Sequence, residues 1–153
     1  MIGGRVEIDM SPAEGLRKSG LRKATRIGLN RASAPVKASV VSHAEAVRRY
    51  GFLAKSIRIR LRSYPADRFV AVIGPSTAVV RKKGKYTRGK KKGQPKLIKP
   101  SKYACLVEKG TKHSKAKPWL KPAYDETAAK FIASVGVEIG REVDKELAKA
   151  STR

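Results

Sequence analysis

Side chains able to perform acid–base, nucleophilic or metal chemistry are few in this sequence and lie far apart. There are two histidines, His43 and His113, and one cysteine, Cys105, and their spacing is unlike that of metal ligands. We expect each histidine to be a surface residue or to have its hydrogen bonds satisfied, rather than to be a metal ligand. Cys105, within YACLVE, is expected to be a small buried apolar residue rather than a nucleophile. We therefore predict no catalytic residues, no metal site and no cofactor, and we do not expect an enzyme.

Glu108 is the acid with the most informative surroundings. It lies in a short apolar segment that stops at Gly110 and Thr111. No second carboxylate is close in the sequence, so the pattern does not predict a general acid–base pair. We expect Glu108 to pair with a basic side chain or to accept backbone N–H groups near Gly110 and Thr111.

Residues 81–100 have the chemistry of a phosphate-binding segment. Ten of these twenty residues are basic and none is acidic. Cations that neutralise phosphates release condensed counterions, which gives strong, salt-dependent binding without sequence preference. Tyr86 is the only aromatic residue in the segment, so we expect backbone contact without base readout. A solvated loop with no specific role is the alternative. The candidate contacts with nucleic acid or an acidic partner are Arg81, Lys82, Lys83, Lys85, Arg88, Lys90, Lys91, Lys92, Lys96 and Lys99.

Charge and size restrict the class of protein. The chain has 153 residues, 41% of them hydrophobic, which suits one domain with a modest core. Its net charge of +24 predicts attraction to nucleic acid or to acidic proteins. No apolar run approaches the roughly 20 residues of a membrane span. We expect either a soluble intracellular protein or one that is assembled inside a cell, with neither a membrane nor a small-molecule partner.

The N-terminal part of the chain has helical periodicity. Apolar residues recur every three or four positions over residues 12–49, after a possible helix start at residues 11–14. Pro35 predicts a kink or break near residues 33–35, and Gly51 is a suitable stop.

Two strands are predicted next. Isoleucine and leucine alternate with arginine over residues 57–63, which indicates a half-buried strand with a basic outer face. A turn at residues 64–67 leads to a second strand over 68–74, so the pair is expected to form an antiparallel hairpin. Shorter elements are predicted as strands at 5–9 and 77–80, as a helical turn at 53–56, and as either helix or strand at 103–109.

The C-terminal segment is the clearest helix, because apolar residues recur every fourth position over 120–149. We predict an α+β fold in which a small antiparallel sheet is packed by the N-terminal and C-terminal helices. Residues 1–153 are expected to form a single domain, with 81–100 as a basic flexible loop inserted in it. Glycine at 84, 89 and 93 and proline at 95 disfavour regular structure there.

One stretch of the sequence resembles a known family. The order Tyr-Ala, acid-x-Gly-Thr and Pro-aromatic-aliphatic-x-Pro-Ala is similar to that of the neck, or tail-completion, proteins of tailed bacteriophages. Upstream, Gly51 to Ile57 resembles the segment that precedes the first long strand in that family. The matching positions, called here the neck motif, are Tyr103, Glu108, Gly110, Thr111, Pro118, Trp119, Leu120, Pro122 and Ala123.

The resemblance covers roughly residues 10–148 and implies a structural protein of the virion. Such a protein assembles in the cytoplasm of the bacterial host into a closed ring, six-fold by expectation, around the DNA channel at the head–tail junction. Its implied partners are copies of itself, head-closure, tail-terminator or tail-tube proteins, and packaged double-stranded DNA. Trp119 is then either a core residue or an anchor of the helix entry on the sheet or a neighbouring subunit. The alternative is a free, sequence-independent nucleic-acid-binding protein of ribosomal or nucleoid type.

Overall fold

The computed structural model describes residues 18–47, 51–65 and 68–151. The strand predicted at 5–9, the helix start at 11–14 and part of the turn at 64–67 lie outside these ranges. The elements are α1 (Lys18–Ala46), α2 (Phe52–Ser56), β1 (Ile57–Tyr64), β2 (Arg68–Pro75), β3 (Arg81–Lys85), β4 (Pro95–Ile98), α3 (Pro100–Lys109) and α4 (Leu120–Ser151). Two antiparallel sheets of two strands each, β1–β2 and β3–β4, accompany the helices. The predicted α+β class is confirmed.

Helix α1 runs through Pro35 without a break, so the predicted break is wrong, whereas the alternative of a kink stays a prediction. An internal proline removes one helical hydrogen bond and costs about 3 kcal/mol. Pro35 itself is exposed, whereas Ala32 and Ser33 are buried and Ser33 Oγ donates a hydrogen bond to the Leu29 carbonyl oxygen at 2.7 Å. Burial of the residues around the proline offsets the lost hydrogen bond, which explains why the helix continues.

The described residues fall into two compact units. The first contains residues 18–36 of α1, 59–73 of the β1–β2 hairpin and the part of α4 from residue 125 onward. Its core joins α1 to α4, and one face of the hairpin packs against it through Leu61, Phe69 and Ala71. The buried core residues are Ala24, Leu29, Ala32, Val135, Ile139 and Val143. The predicted packing of this sheet by the two long helices is confirmed.

A close approach of α1 and α4 in the first unit depends on Gly28. A Cβ atom placed there would lie 2.6 Å from Ile139 Cα and 2.8 Å from the Glu138 carbonyl oxygen. Charged groups accompany this contact, because Glu142 pairs with Arg31 and Glu146 lies 3.1 Å from Lys23 Nζ. Helices α1 and α4 are therefore held together by close packing at Gly28 and by ion pairs beside this contact.

The second unit contains residues 37–47, 51–58 and 74–124. Helix α2 contacts α3, and both bury small residues, such as Ala54 and Ala104. Ser56 is fully buried, and its carbonyl oxygen accepts a hydrogen bond from Ser76 N at 2.9 Å. The helical turn predicted at 53–56 is confirmed. Residues 103–109, which periodicity left undecided, belong to a helix.

Three local predictions in the second unit are wrong. The strand expected at 77–80 is absent: Thr77 and Ala78 form a turn, in which Ala78 N donates to Ser76 Oγ at 3.3 Å. Cys105 is exposed rather than buried, because α3 turns its other face, with Pro100 and Ala104, to the interior. The segment 81–98, expected to lack regular structure, is a two-stranded hairpin.

The backbone geometry of the β3–β4 hairpin explains why residues 81–98 have regular structure. Arg81 pairs with Ile98 and Lys82 with Leu97, and a bulge follows before Lys85. The three glycines have φ values between 68° and 83°, a region that other residues rarely adopt. The glycines thus permit the bulge and the turn, and do not exclude regular structure.

Candidate nucleic-acid interface

The β3–β4 hairpin presents a dense array of cations. All ten basic residues predicted to contact phosphates are exposed. Arg81 begins β3, and its guanidinium carbon lies 4.6 Å from the centroid of the Phe52 ring. Lys96 Nζ lies 5.9 Å from the Tyr86 ring. These cation–π contacts orient two side chains at the hairpin without neutralising their charge.

Backbone hydrogen bonds hold the end of the hairpin. Tyr86 N donates to the Gln94 carbonyl oxygen at 3.0 Å, and Gly93 N donates to the Tyr86 carbonyl oxygen at 2.9 Å. Lys92 N donates to the Gly89 carbonyl oxygen at 3.0 Å. The lysines of this turn are therefore displayed by a hydrogen-bonded backbone. Such a surface can contact several phosphates at once, and the absence of acids in residues 81–100 means that nothing within the hairpin neutralises it.

The neck motif folds into a different structure in the same unit, the N-terminal end of α4. Glu108, near the end of α3, accepts three backbone hydrogen bonds with its carboxylate. Trp119 N and Leu120 N donate to Oε2 at 2.8 and 2.9 Å, and Lys121 N donates to Oε1 at 3.1 Å. We expected Glu108 to pair with a basic side chain or to accept backbone N–H groups near Gly110 and Thr111. Its donors are backbone groups, but they come from the start of the next helix, eleven to thirteen residues away.

Pro122 completes this arrangement. A helix leaves four N–H groups at its start without internal acceptors. Three of them bond to Glu108, and the fourth position is Pro122, which has no N–H. Since the first turn of α4 contains no acid, Glu108 also supplies the negative charge that a helix N-terminus favours. The acid and the Pro-Trp-Leu-Lys-Pro segment therefore act together as one helix cap.

Gly110 makes the return from α3 to α4 possible. Its φ is 76°, and a Cβ atom there would lie 2.7 Å from Ala116 N. Thr111 N donates to the Ser114 carbonyl oxygen at 2.8 Å, and Lys117 N donates to the Val107 carbonyl oxygen at 2.9 Å. The loop therefore folds back tightly over the glycine, and this brings residue 119 to Glu108.

Trp119 is buried in the second unit, with 1% of its surface exposed, and Ala123 one helical turn later is fully buried. The indole ring therefore has no free surface to offer a neighbouring subunit. Trp119 Nε1 is buried, and within the described residues no group accepts a hydrogen bond from it. Tyr103 is half-buried, and burial raises the pKa of its phenol. Leu120 is more than a third exposed, at 37%.

The remaining sequence candidates do not come together. His43 lies in α1, with Nδ1 3.0 Å from the Ser39 carbonyl oxygen. His113 lies in the loop, where its backbone N donates to Thr111 Oγ1 at 3.3 Å. Within the ranges that the structure describes, no three histidine, cysteine or acidic residues are grouped as metal ligands, and no helix is long and apolar enough to cross a membrane.

Two residues near the hairpin were missed from the sequence. Lys102 and Gln94 line a groove together with Tyr86 and Tyr103. A helix start at Pro100 would have placed Lys102 about one turn after Lys99, since proline is common at the first helical position.

No protein-family model, curated protein or solved structure matches this chain. The resemblance to phage neck proteins therefore stays a prediction.

Proposed function

We propose that this chain is a structural protein of the neck of a tailed bacteriophage. In that role it forms a ring around the DNA channel and joins or completes the tail, without enzymatic activity. The observation that carries the proposal is the cap of Glu108 on α4. It gives one physical role to the acid and to the Pro-Trp-Leu-x-Pro segment, the two parts of the neck motif that resemble the family. The long helix, the β1–β2 hairpin, the Glu108 segment and the second long helix follow one another in the order that the resemblance implies, with α2 and the β3–β4 hairpin as additional elements.

The charge of the chain supports a position beside DNA. A net charge of +24 makes copies of the chain repel one another, so a ring needs a polyanion or acidic neighbours to offset the repulsion. The exposed cations of the β3–β4 hairpin suit contact with phosphates of the packaged duplex. Their contacts carry no base specificity, which suits a protein that meets whatever sequence passes through the channel.

A closed ring needs two different complementary surfaces on each subunit. Helix α4 has exposed apolar side chains, Ile132 at 52% and Val137 at 55% exposure. Gly136 and Gly140, one and two turns after Ile132, are also exposed, and a Cβ atom at either would meet no atom within 4 Å. We assign this face of α4 to one of the two ring contacts. Head-closure, tail-terminator or tail-tube proteins are the proposed neighbours above and below.

Measurement of mass and shape in solution tests the proposal. The full chain is examined by native mass spectrometry and negative-stain microscopy, with and without a short DNA duplex, over a series of salt concentrations. We expect closed rings, six-fold by preference, that are favoured when duplex or salt screens the repulsion. Ile132→Glu should prevent the ring while leaving the helical content unchanged. Monomers under every condition would contradict the proposal.

A free nucleic-acid-binding protein is the second candidate, and the exposed cations of the hairpin support it as well as they support the first. It predicts a monomer that coats any duplex, with no closed oligomer and no effect of Ile132→Glu. The same experiment therefore distinguishes the two functions.

A further inference from the structure

A groove lies beside the β3–β4 hairpin and the start of α3, within the second unit. Its volume is about 500 Å³, within the roughly 300–1,000 Å³ of small-molecule sites. Apolar side chains of β4 form part of its lining, among them Leu97, which is 49% exposed. We call it the tyrosine groove. Its polar lining residues are Tyr86, Tyr103, Lys91, Lys99, Lys102 and Gln94.

The charge of the tyrosine groove selects an anion. Three of its lining residues are lysines and none is an acid. Helix α3 begins at Pro100 with no side-chain cap and no acid in its first turn, so its N-terminal end adds positive potential next to Lys99. Helix and lysines together favour a phosphate group at this end of the groove.

Two aromatic rings select a flat partner as well. The sequence showed one tyrosine in the basic segment, and the fold brings a second, Tyr103, from α3 to the same groove. Stacking of a base on an aromatic side chain is possible for any base and strengthens the binding of single strands by about 1–3 kcal/mol per base. The Tyr103 hydroxyl carries its proton at neutral pH, as a phenol ordinarily does, and can donate a hydrogen bond. Gln94 adds an amide that can both donate and accept.

We propose that the tyrosine groove binds an unpaired nucleotide of a nucleic-acid strand, with the base against a tyrosine ring and the phosphate beside the lysines. This inference deepens the proposed contact between the hairpin and nucleic acid and rests on it. It differs from the duplex contact in one respect: a base within a duplex is stacked on its neighbours and offers no free face. The groove should therefore distinguish strands with accessible bases from strands without bases.

Binding of two short DNA strands tests the base contact. One is an oligothymidylate, and the other has the same length and phosphates but abasic sugars. At least one of Tyr86→Leu and Tyr103→Leu should weaken oligothymidylate binding by about 5- to 150-fold, the effect of losing one stacked base, and no loss in either variant would overturn the proposal. Neither leucine variant should change the affinity for the abasic strand. Tyr86→Phe and Tyr103→Phe keep an aromatic ring and should bind oligothymidylate as tightly as the parent protein does. Tyr64→Leu, at an exposed tyrosine of β1, is the matched control.

The lysines are tested through the salt dependence. Lys102→Gln should reduce the slope of log affinity against log salt by about 0.7 for a single strand, as loss of one phosphate contact requires. Lys115→Gln, at an exposed lysine outside the groove, should leave the slope unchanged. Equal losses on thymidylate and abasic strands, or equal effects of the two lysine variants, would overturn the proposal.

Photocrosslinking of the unaltered protein keeps the test independent of any variant that fails to fold. A strand containing 5-iododeoxyuridine should crosslink to Tyr86 or Tyr103, located by mass spectrometry of the digested complex. Crosslinks confined to other residues would overturn the groove. Failure of the groove proposal can be distinguished from failure of the neck proposal, because ring formation and duplex affinity are measured without single-stranded DNA.

Discussion

The carboxylate of Glu108 accepts the backbone N–H of Trp119 at 2.8 Å, across a loop of ten residues. This contact joins the end of α3 to the start of α4. It also fixes the position at which the one tryptophan of the chain enters the interior. Because the same carboxylate receives the next two N–H groups, a single side chain satisfies every free donor of that helix end.

Removal of this cap should destabilise the fold. Glu108→Ala leaves three N–H groups without their acceptor, and a lost cap with a charged partner costs about 1–3 kcal/mol. Glu108→Gln keeps one acceptor oxygen and should cost less. Chemical denaturation followed by circular dichroism measures both, with Glu45→Ala at an exposed position of α1 as the control. A stability of Glu108→Ala equal to that of the control would contradict the capping role.

Gly110 should tolerate no side chain. Gly110→Ala places a Cβ atom 2.7 Å from Ala116 N in a backbone with φ of 76°, so both strain and a collision oppose it. Gly89→Ala is the matched comparison, because Gly89 has a φ of 78° with open space around it. We expect about 1 kcal/mol for Gly89→Ala and clearly more for Gly110→Ala. Thermal unfolding of the two variants gives the difference, and equal shifts would show that the loop can move away.

Trp119→Ala should be among the most damaging single changes. The side chain is 1% exposed, and truncation of a buried aromatic residue costs roughly 3–5 kcal/mol. Leu120→Ala, next to it and 37% exposed, should cost much less. Urea unfolding compares the two. If Trp119→Ala folds with unchanged stability, neither core packing nor anchoring of the helix entry explains this residue.

Stability should fall in acid through Glu142. A hydrogen bond from Lys145, at 2.7 Å, is the main cause that holds the pKa of Glu142 below its ordinary value of 4.5, and the charge of Arg31 adds to it. A carboxylate with a lowered pKa in the folded state stabilises the fold above its ordinary pKa. This stabilisation disappears as the pH falls through the lowered value. Glu142→Gln should therefore be less stable than the parent at neutral pH.

The free energies of unfolding of Glu142→Gln and the parent should converge at the acid end of a pH series. Glu45→Gln, in an exposed position of α1, should run parallel to the parent throughout. A constant difference between Glu142→Gln and the parent across the acid range would exclude the proposed linkage.

The turn of the hairpin should supply duplex affinity without sequence preference. Replacement of its four cations by glutamine should leave the fold intact and reduce the salt slope by about 0.9 for each lost phosphate contact. Affinities for two unrelated duplexes over a salt series test this, and both should fall equally. A slope that stays at the parent value would favour a solvated hairpin without a nucleic-acid role. The residues changed are Arg88, Lys90, Lys91 and Lys92, and the control set at exposed positions elsewhere is Lys109, Lys112, Lys115 and Lys117.

The periodicity of apolar residues by itself determined the main elements of this protein. Helices over residues 18–46 and 120–151 and strands over 57–64 and 68–75 agree with the predicted ranges within the described residues. Long helices and an alternating hairpin are legible because burial of one face imposes a period on the sequence. The exposed cations of residues 81–100 could also be predicted from the sequence, since charge follows directly from composition.

Tertiary structure alone decided the rest, because it depends on contacts between residues distant in the chain. The backbone donors to Glu108 come from the start of α4. The residues next to Glu108 in the sequence do not indicate this contact. The helix continues past Pro35 because the residues around it are buried. The hairpin at 81–98 forms because glycines with positive φ suit its bulge and turn. Tyr86 and Tyr103 line one groove only because β4 leads directly into α3, a juxtaposition that local pattern does not encode.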